Sequence, residues 1–171
     1  MKCRAAVLHT IGAPPPYGTS KPIKIEEIEL EAPGDGEVLV KVAAAGLCHS
    51  DLSVLNGSRP RPLPMVIGHE AAGVVTSIGP GVTNLDVGDH VVFVFVPSCG
   101  DCIPCGEGRP ALCEPGAKAN VAGTLLGGGQ RISLNGKPVT HHVGVSCFAE
   151  YAVVSQCSLV KVSKNLPLDQ A

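Results

Sequence analysis

Four cysteines fall within fifteen positions of this chain, at Cys99, Cys102, Cys105 and Cys113, in the pattern C-x2-C-x2-C-x7-C. Two-residue gaps let one loop aim several sulfurs at a single point, which is what tetrahedral zinc held by four thiolates requires. Gly100, Pro104, Gly106, Gly108 and Pro110 supply the turns, and the loop has little apolar material of its own to fold on. Four thiolates also serve an iron–sulfur cluster, and free surface thiols are the plainer alternative. A metal enclosed by four thiolates has no place left for a substrate, so this centre reads as structural. A second constellation is smaller. Cys48-His49-Ser50-Asp51 follows a predicted strand, and Gly68-His69-Glu70 opens another. Thiolate and imidazole are both zinc ligands, and an incomplete set leaves a coordination position open for chemistry. On spacing alone, a single cysteine is more often a small core residue and a single histidine a satisfied one.

The elements that must position these residues are short strands. The 171 residues include 21 Gly and 15 Pro, which argues against long helices and for many strands joined by turns. Aromatics are 3% and Trp is absent, so Val, Ile, Leu and Ala must fill the core. Apolar alternation or apolar runs predict strands over 2–8, 23–30, 37–45, 71–78, 90–96, 148–154 and 159–162. Asn135-Gly136 predicts a hairpin over 131–140, with Pro138 confining it to a sheet edge. Ser50 is a candidate cap for a short helix through Leu55, and 166–171 reads as the start of another helix. The class is mainly β with few short helices. No GxGxxG follows a strand, so no dinucleotide-binding fold is encoded here.

Composition narrows the function. Net charge is −2 with no basic run, which gives nucleic-acid binding little support. No stretch approaches the ~18 consecutive apolar residues of a membrane helix, and the N-terminus lacks the pattern of a signal peptide. A cytoplasmic location is the expectation, and in a reducing compartment clustered cysteines serve metals or catalysis sooner than disulfides.

The motifs together resemble a known family. Gly68-His69-Glu70-x2-Gly73-x5-Gly79-x2-Val82 is similar to the signature of zinc-containing alcohol dehydrogenases. The segment Gly46-Leu47-Cys48-His49-Ser50-Asp51 resembles that family's first zinc-ligand region, and the four-cysteine lobe has its structural-zinc spacing. The resemblance implies a partly open, GroES-like β-barrel over 1–171, with a structural zinc lobe at about 97–115 and a Rossmann cofactor domain outside the chain. It implies two zincs: a structural one on the four cysteines, and a catalytic one on Cys48 and His69, with Glu70 close enough to exchange onto it.

By the same resemblance, zinc lowers the pKa of an alcohol that then gives hydride to NAD or NADP, and Ser50 relays the proton. Asp51 orients a metal-bound imidazole, His49 meets the cofactor pyrophosphate, and Phe95 lines the substrate pocket. The implied substrate is a small alcohol or aldehyde and the implied full-length assembly a homo-oligomer. Two departures stand out: position 53 is Ser, where some members carry a second relay histidine, and the third catalytic ligand falls beyond Ala171. A stand-alone zinc-binding interaction module and a zinc-free reductase of the same superfamily are the alternatives. His90 reads as structural, Cys3, Cys147 and Cys157 as buried thiols, and His141 and His142 have no assigned role.

Overall fold

The computed structural model describes residues 1–171. Ten strands form two β layers. The first is a small closed barrel of β1 (Lys2–Leu8), β2 (Ile23–Leu30), β4 (Met65–Val66), β7 (Ile132–Leu134) and β8 (Lys137–His141). The second is a five-stranded sheet of β3 (Glu37–Gly46), β5 (Glu70–Ile78), β6 (His90–Phe93), β9 (Tyr151–Ser155) and β10 (Leu159–Val162). Around the barrel the order is β1-β2-β7-β8-β4, and across the sheet β10-β6-β5-β3-β9. Helices are α1 (Tyr17–Ser20), α2 (His49–Leu55), α3 (Ile103–Gly106) and α4 (Glu114–Ala122). No helix is long and apolar enough to cross a membrane.

The cores are built as the composition requires. Val38, Val40, Val75, Val91 and Val154 pack with Leu85 and Phe93 inside the sheet, and Val7, Ile28, Leu30, Val66 and Val139 pack inside the barrel. A third cluster, Leu8, Val54, Leu55, Met65 and Ile67, fastens α2 to the barrel. Burying Val54 and Leu55 contributes roughly 1.5–3 kcal/mol each, which a seven-residue helix could not supply from propensity alone.

The register of β3 against β5 decides where the chemistry goes. The strands run antiparallel, shift register twice, and end with Gly46 opposite Glu70. Cys48 lies two residues beyond Gly46 and His69 one before Glu70, so both leave the sheet at the same end. Gly68 makes the exit possible. Its φ is +92°, and a side chain there would collide with the Phe148 ring and backbone.

Several expectations are corrected in detail. The run His90 to Val96 pairs only to Phe93; Val96 has φ +52°, which a strand cannot carry, and its N–H turns to donate to the Val143 carbonyl at 2.9 Å. Pairing in the last sheet strand before β10 covers Tyr151–Ser155, not 148–154. The hairpin forms at Asn135-Gly136, but β8 is an interior member of the barrel. Pro138 is tolerated because β8 bonds β4 only at Thr140 and His141. Residues 167–170 make one turn and no helix. Cys157 is exposed, whereas Cys3 and Cys147 are buried.

His141 is wholly buried, with Nε2 accepting the Arg131 N–H at 3.2 Å and Nδ1 without a partner. Burial, then the Arg131 charge, pushes its pKa down to about 3. The unfolded chain therefore binds a proton that the folded chain refuses between pH 6.5 and about 3. Stability falls as pH drops through that window, by up to about 1.4 kcal/mol per unit. Chemical denaturation of His141→Gln as a function of pH should show a shallower acid slope than the parent, and an unchanged slope would refute this account.

Gly79 gives a second check. A Cβ there would run into the Gly34 carbonyl, whereas one at Gly18 meets nothing within 4 Å. Gly79→Ala should lower stability by roughly 1–3 kcal/mol and Gly18→Ala by none, read from denaturation midpoints.

Candidate functional site

At the shared end of β3 and β5, Cys48, His69 and Glu70 each offer one ligand atom, and the three atoms lie within 4.8 Å of one another. Each is positioned by an identifiable local cause. Cys48 is the N-cap of α2: its sulfur accepts the Ser50 N–H at 3.5 Å, while its own N–H donates to Asp51 Oδ2 at 3.1 Å. The helix therefore starts at His49, and the cap is the thiol of Cys48 in place of the Ser50 hydroxyl. A cysteine in a capping box is both held in direction and surrounded by donors. The Ser50 amide, then the Ser50 and His69 side chains, hold its thiol below the usual range.

Asp51 fixes the imidazoles. Its Oδ1 accepts from His69 Nδ1 at 3.1 Å and faces His142 Nδ1 at 3.4 Å. Burial alone would raise the carboxyl pKa, but the two imidazoles and the Cys48 N–H hold it well below the usual carboxylate range. In return the Asp51 bond raises His69. With Nδ1 engaged, the free ring nitrogen of His69 is Nε2, which lies 4.0 Å from Glu70 Oε1. The His69 ring stands edgewise to Phe95, with centroids 5.5 Å apart, and to His142, 5.3 Å apart.

Two cavities meet at this ring. The inner one, about 120 Å³, is lined by Ser50, Val54, Val96 and Val143 among others. The outer one, about 470 Å³, is lined by Gly46, Glu70, Ala71 and Phe93 and reaches Leu168 and Asp169. His69 and Phe95 border both. The inner wall carries backbone strain, since Val96 and Val143 both have positive φ.

The four-cysteine loop forms a separate cluster. Cys99, Cys102, Cys105 and Cys113 bring their sulfurs within 4.8 Å of one another, close to the ~3.8 Å edges of a tetrahedral thiolate site. Backbone N–H groups already point at them: Cys99 N–H to Cys113 Sγ at 3.2 Å, Cys102 N–H to Cys99 Sγ at 3.4 Å, and Gly116 N–H to Cys113 Sγ at 3.3 Å. Amide bonding from Cys105 pulls Cys102 down to about 7, while burial and the adjacent thiols push Cys105 up to about 12. Such a crowd of thiols ionises fully only around a cation, so the donor set fits a metal.

Residues 34–164 match the alcohol dehydrogenase GroES-like domain. The chain belongs to that family. Among relatives of this GroES-like domain, an NDMA-dependent alcohol dehydrogenase of Amycolatopsis methanolica is 45% identical over the whole chain, which spans 44% of it. A class-3 alcohol dehydrogenase of Drosophila melanogaster is 40% identical over 98% of the chain and 42% of the relative. The solved structure of an alcohol dehydrogenase zinc-binding domain protein from Burkholderia ambifaria superimposes with a TM-score of 0.87 at 39% identity, over 98% of this chain and 44% of that one. The chain thus spans less than half the length of these relatives.

The GroES-like domain brings Cys48, His69, Glu70, Ser50, Asp51 and Phe95 together at one point and the four cysteines at another. His49 lies exposed in the first turn of α2, outside the inner cavity. Sequence reasoning gave no part to Arg59, Arg61, Asn120 and His142, all of which line that cavity. They converge from three separate segments, so no spacing marks them.

The capped, bifurcated Asp51 is testable without any ligand. Asp51→Ala removes the carboxylate half of the α2 capping box and leaves two imidazoles facing a void, so denaturation should show a loss of roughly 2–5 kcal/mol. Asp51→Asn, which keeps the acceptor oxygen, should lose less.

Proposed function

We propose that residues 1–171 are the zinc-binding catalytic domain of a zinc- and NAD(P)-dependent alcohol dehydrogenase that oxidises alcohols to aldehydes or ketones. The observation that carries this reading is the Cys48–His69–Glu70 donor set placed where an inner and an outer cavity meet. Cys48 and His69 would hold the catalytic zinc, with Glu70 as an exchangeable donor, and Cys99, Cys102, Cys105 and Cys113 the structural one. Bound zinc supplies Lewis-acid polarisation of an alcohol oxygen, which eases loss of its proton.

The chain's own residues do the rest. Asp51 keeps the His69 ring in one tautomer with Nε2 turned toward Cys48 and Glu70. Ser50 offers a hydroxyl in the inner cavity that can accept a hydrogen bond from the substrate hydroxyl and relay its proton while passing on its own. Phe95 closes the same cavity with an apolar edge. The outer cavity, mostly apolar along Ala44, Ala45, Ala71 and Val92, is where a nicotinamide would approach, with His49 available to its pyrophosphate. On this reading the nicotinamide cofactor has its own domain outside 1–171, and the third protein ligand of the catalytic zinc comes shortly after the Leu166-Pro167-Leu168 segment. The relatives' names, alcohol dehydrogenases in each case, support the reaction class.

Metal analysis tests the reading. The chain should keep one zinc firmly and bind a second more weakly. Cys102→Ala should lose the first and Cys48→Ala the second, measured by elemental analysis after dialysis at graded zinc. Iron on the four cysteines, or a second zinc indifferent to Cys48→Ala, would overturn it.

A further inference from the structure

Arg59 and Arg61 both line the inner cavity, and neither guanidinium makes an ion pair or a side-chain hydrogen bond. Arg61 Nε is sealed from solvent without a partner. Asn120 Oδ1 shares that condition, whereas His142 Nδ1, on a side chain about 2% exposed, has the Asp51 carboxylate at 3.4 Å. No carboxylate lines the cavity. Asp51 faces it only through His69 and His142, and Glu70 borders the outer cavity. Arg59 is exposed and keeps its hydration, but Arg61 is half-buried with Nε sealed, and a buried donor left unmade loses roughly 1–3 kcal/mol. Water could fill the space, which holds about four molecules' worth, but water does not neutralise charge. The loop is also stiffened in advance. Pro60 and Pro62 follow the two arginines and restrict each to extended backbone, so little order need be imposed on binding.

We infer that the substrate of this site carries a carboxylate or comparable oxyanion, bound by Arg59 and Arg61 where they line the inner cavity. The inference rests on the proposed function, because Ser50 and His69, which line the same cavity, define the reacting end. It narrows the substrate class to short alcohols or aldehydes bearing an anionic tail. Guanidinium forks match carboxylate geometry with paired hydrogen bonds, which a neutral amide cannot reproduce.

The test compares binding of 4-hydroxybutyrate and its neutral amide to the zinc-loaded chain, by calorimetry and by the NMR signals of the arginine Nε–H groups. The acid should bind about tenfold tighter or more and shift the Arg59 and Arg61 signals. Arg59→Gln combined with Arg61→Gln should abolish the preference, while Lys24→Gln, on the barrel exterior, should not. Cys48→Ala separates this idea from the metal reading. A preference that survives Cys48→Ala and disappears in the arginine variant supports the inference even if the second zinc proves absent. A preference that disappears with Cys48→Ala and survives in the arginine variant means that the metal holds the anion, and overturns it. Equal binding of acid and amide overturns it as well.

Discussion

A single buried carboxylate organises the site. Asp51 accepts the Cys48 N–H with one oxygen and His69 Nδ1 with the other, and it faces His142 as well. Those three groups belong to a helix start, a strand start and the loop after a hairpin, far apart in the chain. Each contact would be weak alone. Gathered on one desolvated anion they become interdependent, because removing any one leaves charge or polarity unanswered in the interior. The direction of the Cys48 sulfur and the orientation of the His69 ring therefore rest on a residue that touches no reacting atom.

The sheet supplies what Asp51 cannot, which is proximity. Antiparallel pairing of β3 and β5 ends with Gly46 against Glu70, so Cys48 and His69, twenty-one positions apart in sequence, emerge side by side. The hydrophobic cluster under α2 then holds the helix that carries Ser50 and Asp51. Packing, register and capping act on different length scales and agree on one point in space.

Much of this was legible in the sequence. The strand periodicities, the Asn135-Gly136 turn and the four-cysteine spacing are local signals, and local physics produced what they foretold. The errors came where tertiary contacts override local preference. Val96 leaves a strand-like run to bond Val143, and Pro138 sits in a closed barrel because its neighbour strand is two residues long. Helix α4 was readable but unread: Cys113 caps it, Pro115 occupies its first turn, and Gly123 ends it in the left-handed region. The inner cavity was not legible at all, since Arg59, Asn120 and His142 meet only through the fold.

His69 is a partition as much as a donor. Its ring borders both cavities and is held by a hydrogen bond to Asp51 and by edgewise contact with Phe95 and His142. The chambers share a wall without sharing a moving part. Side chains lining the inner chamber can thus be exchanged without disturbing the outer one, so that the inner space can be reshaped inside a constant frame.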